Sequence, residues 1–303
     1  MKPSLPPSPP PADYHTNLPA THTLAVDIGG TKLTLGVFRG EQLIERVSTP
    51  TDRSGGPQWM LNEIVRIASP WVRQYSIERC GIGFGGPVNS RTQQVICSTH
   101  VEGWLNFDLV AALKARLGVS SVMDRDTMVG ALGEGFYGAG RGARPLFYMT
   151  ISTGIGGGLL TDSGLYHGYD SFACEIGHHA VVPDGPECLC GARGCLERLC
   201  AGIWFERDYG QPASIKLRDP EFVKQYVRPL ARGLKNCIMF LNPARIVIGG
   251  GISKAGDALF TPLREEMSRQ IPAWSRATVD VVPAALADDS ILWGALALAN
   301  GRY

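Results

Sequence analysis

The chain has 303 residues, 44% hydrophobic and 19% charged, which excludes a disordered polypeptide and suggests about two domains. Lys+Arg number 29 against 28 Asp+Glu, so the net charge of +1 offers no electrostatic footprint for nucleic acid or an acidic membrane surface. No apolar run reaches the roughly 18 residues of a membrane span, and eight cysteines are too sparse for a disulfide scaffold. The first 20 residues hold one lysine, no apolar stretch and seven prolines, so no secretory signal is visible. The expected setting is the cytoplasm, with cysteines present as thiols or metal ligands.

Residues 1–21 cannot build a helix or a packed strand, because proline fixes φ and removes donors; a disordered tail is expected. From Thr23 the pattern changes. THTLAVDI reads as a strand, GGTK as a turn and LTLGVF as a second strand. Trp59–Tyr75 reads as a helix kinked or broken at Pro70, and CGIGF as a buried strand. Asp108–Leu117 is an amphipathic helix, SSVMD a strand and Thr127–Tyr137 a helix. PLFYMTIS and GGGLLTD read as strands around STGIGG. Phe222–Leu241 reads as a long helix, ARIVIGGGIS as strand plus glycine turn, SRATVDVVPA as a strand and Ser290–Asn300 as a closing helix. Strands alternating with helices define the α/β class.

Three strands end in glycine clusters: Gly29–Gly30, Gly154–Gly158 and Gly249–Gly251. Glycine lets main chain approach a ligand, and successive N–H groups at such turns form anion-binding concavities. Each cluster lies beside a hydroxyl or a lysine (Thr31 and Lys32, Ser152 and Thr153, Ser253), which suggests a polyphosphate held between two halves. There is no GxxxxGK[ST]. The spacing GxGxxG occurs at Gly81, Gly83, Gly86 and at Gly133, Gly135, Gly138, but neither match lies in the strand–turn–helix context of a dinucleotide site.

The segment EIGHHAVVPDGPECLCGARGC offers three thiols, Cys188, Cys190 and Cys195, and an imidazole from His178 or His179. Three thiolates and one imidazole complete the tetrahedral shell that zinc prefers. A knuckle with so few apolar residues needs a metal in place of a core. With no ligand position left over, the expected Zn²⁺ is structural.

In this order, VDIGGTK, GIGFGGPV, DTMVGALGE, ISTGIGGGLL, CEIGHH, CLCGARGCLE and VIGGGIS make the chain resemble the ROK family of repressors, open reading frames and sugar kinases from about Leu24 onward. The resemblance implies a two-lobed, actin-like ATPase (ribonuclease H-like) fold, with residues 22–122 plus 288–303 as one lobe and 123–287, carrying the zinc site, as the other. It implies ATP-dependent phosphorylation of a hexose hydroxyl, with Mg²⁺, and a homodimer. Asp27 would lie near Mg²⁺ and the phosphates, with Gly29, Gly30, Thr31 and Lys32 around the phosphate chain. Thr153 and Gly154 would line the phosphate path, and Gly250 and Gly251 the nucleotide side. Asp126 corresponds to the general base; Asp124 is its rival, and register to Gly133-Glu134 favours Asp126. Glu175, His178 and Glu197 correspond to sugar contacts, with His178 also on zinc, which favours it over His179.

Two departures bear on the substrate. Arg125 stands where family kinases carry Asn before the catalytic Asp, and Thr99-His100 stands where many carry Pro-Asn. Arg125 could bind an anionic group, alter the sugar pose or turn outward, and His100 could still hydrogen-bond a hydroxyl. Glucose is the first expectation, with N-acetylmannosamine, fructose, mannose and allose as alternatives. A regulator of the same family would carry a winged helix-turn-helix ahead of the first strand, where only the proline-rich segment stands. A catalytically impaired sugar-binding or sensing protein is the alternative to a kinase.

Overall fold

The computed structural model describes residues 21–98, 101–275 and 279–303. The segment expected to be a tail lies, apart from Thr21, outside them, as does His100. Strands β1 (His22–Ile28), β2 (Lys32–Arg39) and β3 (Gln42–Pro50) form an antiparallel meander. Helix α1 (Gly56–Tyr75) returns the chain so that β4 (Arg79–Phe84) runs parallel to β1. After a small hairpin, β5 (Val88–Asn89) with β6 (Gln94–Val95), helix α2 (Leu109–Leu117) leads to β7 (Ser120–Arg125), parallel to β4. The sheet order is β3-β2-β1-β4-β7.

Helix α3 (Asp126–Tyr137) leads into a second sheet built to the same plan. Strands β8 (Leu146–Ile151), β9 (Ile155–Thr161) and β10 (Gly164–Leu165) form its meander. Helices α4 (Leu196–Cys200), α5 (Ile203–Tyr209), α6 (Ala213–Lys216) and α7 (Pro220–Leu241) precede β11 (Arg245–Gly249), which is parallel to β8. Helix α8 (Asp257–Gln270) precedes β12 (Asp280–Pro283), parallel to β11, and α9 (Ser290–Ala299) closes the chain against α3, β4 and β1. The order β10-β9-β8-β11-β12 repeats the topology of the first sheet. The chain is α/β, as the alternation of elements predicts.

The apolar residues sort into three clusters. Leu24, Leu33, Ile64 and Ile82 unite the first sheet with α1 and α2. Leu230, Ile246 and Leu263 unite the second sheet with α7 and α8. Between the sheets, Val129 and Leu132 of α3 meet Leu292 and Leu296 of α9 and the inner-face residues Ala25, Phe38 and Val247. The central strands are therefore covered on both faces, which is why they read as near-continuous apolar runs.

Main chain touches main chain where α3 crosses α9. A Cβ on Gly294 would lie 1.7 Å from the Val129 carbonyl oxygen, and one on Gly133 2.0 Å from that of Ser290. Gly294→Ala should therefore force the two helices apart and cost about 3 kcal/mol or more, read as a lower urea midpoint with an unchanged slope.

Three local expectations need correction. Helix α1 starts at Gly56 and continues through Pro70 without a break. Pro70 and Arg66, whose carbonyl loses its helical partner, are both exposed, so water can satisfy that group. Strand β12 is shorter than the one expected over 275–284, of which 276–278 lie outside the described residues. Strand β3 and helix α8 were not anticipated: β3 is a mostly polar, exposed edge, whereas α8 does carry the apolar spacing Leu259, Phe260, Leu263, Met267.

Candidate active site

The carboxyl ends of the parallel strands of both sheets open onto one cleft of about 480 Å³, where ligands bind in open α/β sheets. Strand β1 delivers Asp27 and, beyond its end, Gly29, Gly30, Thr31 and Lys32; β4 delivers Gly85 and Gly86; β7 delivers Arg125 and, at the start of α3, Asp126. From the second sheet, β8 leads to Thr153 and Gly154, and β11 to Gly250 and Gly251. All three glycine turns thus face one space. Gly250 has φ +86°, and a Cβ there would lie 2.4 Å from the Ile151 carbonyl oxygen, so both conformation and space demand glycine.

The first turn is held from behind. Gly29 N–H donates to the Lys32 carbonyl at 3.0 Å; Thr51 Oγ1 donates to the Gly29 carbonyl at 2.8 Å and Thr51 N–H to the Thr31 carbonyl at 3.0 Å. Arg53 Nε donates to the Gly30 carbonyl at 2.7 Å. The N–H groups of Gly30 and Thr31 have no backbone partner among the described residues, which suits an anion-binding turn.

Two carboxylates share the cleft. Asp27 is 4% exposed, and burial followed by the charge of Asp126 pushes its carboxyl up to about 7. Asp126 is the first residue of α3, and its Oδ1 accepts the Thr127 N–H at 2.7 Å. Burial raises it to about 6, against the opposing effects of that hydrogen bond and of Arg125. Asp124 takes a different direction: its Oδ1 accepts the Arg125 N–H, and its Oδ2 pairs with His167 Nε2 at 2.6 Å. Strand alternation alone would put residues 124 and 126 on one face; the helix that begins at 126 turns the second carboxylate into the cleft.

Arg125 turns inward. It is 6% exposed, pairs through Nη1 with Glu175, and donates through Nη2 to the carbonyls of Ala173 and Gly157. Glu197 lines the same space and accepts the Ile155 N–H at 2.9 Å through Oε2.

His178 also lines the cleft, and its Nδ1 faces away toward Cys188 Sγ at 3.9 Å. Cys190 and Cys195 Sγ are 3.6 Å apart, far beyond a disulfide and close to the roughly 3.8 Å edge of a tetrahedral zinc–thiolate shell. The four ligand atoms all lie within 4.8 Å of one another. The Ala192 N–H lowers the Cys190 thiol below its ordinary range. His179 is turned aside, with Nδ1 on the Ile176 carbonyl.

Residues 23–302 match the profile of the ROK family. The chain belongs to the ROK family. Among its relatives, this ROK protein is 29% identical to a glucokinase of Thermotoga maritima, over 94% of its own length and 99% of the relative's. It is 30% identical to an N-acetylmannosamine kinase of Escherichia coli, over 92% and 99%. A ROK glucokinase from Streptomyces griseus, solved with glucose and AMPPNP, superposes with a TM-score of 0.78 at 26% identity, covering 92% and 99% of the two chains. Among the described residues of this ROK protein, no helix is long and apolar enough to cross a membrane.

Apart from His100, every residue to which the resemblance assigns a catalytic, binding or metal role lies on the cleft or in the adjoining Cys/His cluster, whereas the rivals Asp124 and His179, and Ser253, do not. The cleft of this ROK protein also holds residues that sequence reasoning missed: Arg53, Tyr148, Phe172 and Asp288. No periodicity or spacing marks them, because each is brought in by long-range folding.

Proposed function

We propose that the chain is an ATP-dependent hexose kinase with Asp126 as general base. The observation that carries this reading is the half-buried Asp126 carboxylate, set at the start of α3 in a cleft where glycine turns from both sheets converge. A sugar alcohol is a poor nucleophile, and a positioned carboxylate accepts its proton as the bond to phosphorus forms. The remaining demand of phosphoryl transfer is positioning and charge neutralisation. The Gly29–Lys32 turn, Thr153, Gly154, Gly250 and Gly251 would hold the nucleotide, while Glu175, His178 and Glu197 would accept or donate hydrogen bonds to sugar hydroxyls.

Two ions fit the residues. Burial and then the charge of Asp126 raise the proton affinity of Asp27, and a divalent cation relieves such a desolvated carboxylate. Asp27 would hold Mg²⁺, which neutralises phosphate charge. Cys188, Cys190, Cys195 and His178 would hold a structural Zn²⁺ that fixes the His178 ring. The lobes would be 22–122 with 288–303, and 123–287, in an actin-like arrangement acting as a cytoplasmic homodimer.

Glucose is the first substrate to test. Arg125 favours a second reading, because its pairing with Glu175 takes up one carboxylate otherwise free for a sugar: a sugar-binding protein that turns over poorly. A coupled ADP-release assay over a hexose panel, run beside calorimetric sugar binding, separates the two. Rapid ADP release supports the kinase, and tight binding without release supports the sensor. The base must be ionised, and its pKa is raised to about 6. Turnover should therefore rise as pH increases through about 6 and level off above it; a flat profile from pH 5 to 8 rejects Asp126 as the base.

A further inference from the structure

Arg53 lies between β3 and α1, on a turn held by Asp52, whose Oδ1 accepts the N–H groups of Ser54 and Gly55. Together with Thr51 it staples this turn to the Gly29–Thr31 loop through three hydrogen bonds. Nε is spent on the Gly30 carbonyl, which fixes the base of the guanidinium fork, while Nη1 and Nη2 have no hydrogen-bond or ion-pair partner among the described residues.

The charges lining the cleft leave a clear vacancy for such a group. The carboxylates are Asp27, Asp126, Glu175, Glu197 and Asp288, against the cations Lys32, Arg53 and Arg125. Arg125 is taken by Glu175. The charge of Lys32 acts on Asp27, and Asp288 is paired with Lys254 at 2.8 Å. A nucleoside triphosphate entering a cleft with more carboxylates than cations needs a cation not already committed, and a guanidinium is suited to grip phosphate oxygens with two parallel N–H bonds.

We propose that Arg53 is a phosphate-binding residue that grips the terminal phosphates of the nucleotide donor and stabilises the charge of the phosphoryl group in flight. This rests on the kinase reading of the same cleft. It assigns the β3–α1 turn a direct part in the reaction: the hydrogen bond to Gly30 makes the arginine move as one body with the glycine loop, so loop and guanidinium meet the phosphates together.

The test uses the full chain with Mg²⁺ and compares wild type, Arg53→Ala, Arg53→Lys and Arg53→Gln, the last retaining an amide donor for Gly30 without the charge. Calorimetry with ATP and with AMP reads phosphate contact independently of any sugar. Arg53→Ala and Arg53→Gln should weaken ATP roughly 10- to 100-fold, with AMP unchanged within about twofold and Arg53→Lys in between. With the hexose that the wild type turns over, kcat should fall by about 100-fold and KM for the sugar should hold. Equal weakening of ATP and AMP, or an Arg53→Gln variant that matches wild type in ATP affinity and kcat, overturns the proposal. Failure of the wild type on every hexose rejects the kinase reading instead, while the ATP-against-AMP comparison still decides the role of Arg53.

Discussion

Asp126→Asn should abolish sugar phosphorylation and at the same time make the protein more stable at neutral pH. The amide keeps a carbonyl oxygen to accept the Thr127 N–H, so the start of α3 is preserved. It cannot take a proton from a hydroxyl, and loss of a positioned general base costs about 10²–10⁴ in rate. The gain in stability follows from linkage. The folded protein holds the Asp126 proton up to about 6, against an ordinary value of 3.8. This group favours the folded state fully below the ordinary value, and the benefit is lost as pH rises through about 6. Above that, the ionised carboxylate is a net cost of about 1–3 kcal/mol, since solvent still reaches part of it. Asn removes that cost, so the variant should melt higher than wild type at pH 8, with a smaller difference at pH 5. Retained turnover rejects the assignment of the base, and a lower melting temperature at pH 8 rejects the account of its burial.

Loss of the zinc proposed at the Cys/His cluster should have the second large effect. Cys190 is exposed, so Cys190→Ser disturbs no packing and any loss of stability reports the metal. Emission spectroscopy should find zinc in the wild-type chain and little or none in the variant. The knuckle then loses what replaces a core, and His178, no longer held at Nδ1, loses its fixed aim into the cleft. KM for the sugar should rise at least about tenfold, more than kcat falls. A variant with wild-type zinc content, or a zinc-free one with unchanged melting and KM, contradicts this assignment.

Much of the site was legible because its requirements are chemical and local. A backbone turn that must approach a ligand at φ +86° beside a carbonyl can only be glycine, so Gly250 announces itself. Three thiols and an imidazole within one short segment do the same. Choosing Asp126 over Asp124 needed the resemblance, because alternation gives them the same face and only the turn into α3 separates them. The orientation of Arg125 was illegible: its partner Glu175 is 50 positions away, and the pairing depends on where the second sheet delivers its loop. Arg53 was hidden for the same reason, lying 23 positions from Gly30 in a turn that local rules read only as a turn. In the fold, β3 escaped notice because an exposed edge strand has no buried face to pattern it, and Pro70 misled because a helix can tolerate it on its wet side.

The glycine contact of α3 with α9 bears on motion. At Gly133 and Gly294 main chain meets main chain, so the helices approach most closely there and the crossing is the natural pivot, about which a swivel would slide the flanking Val129, Leu132, Leu292 and Leu296 side chains past one another. Since α3 begins with Asp126 and α9 follows the Ala287–Asp288 wall of the cleft, such a swivel would carry the two walls toward or away from each other. The bearing on which the mouth of this enzyme can open to a sugar and shut out water is thus two patches of main chain.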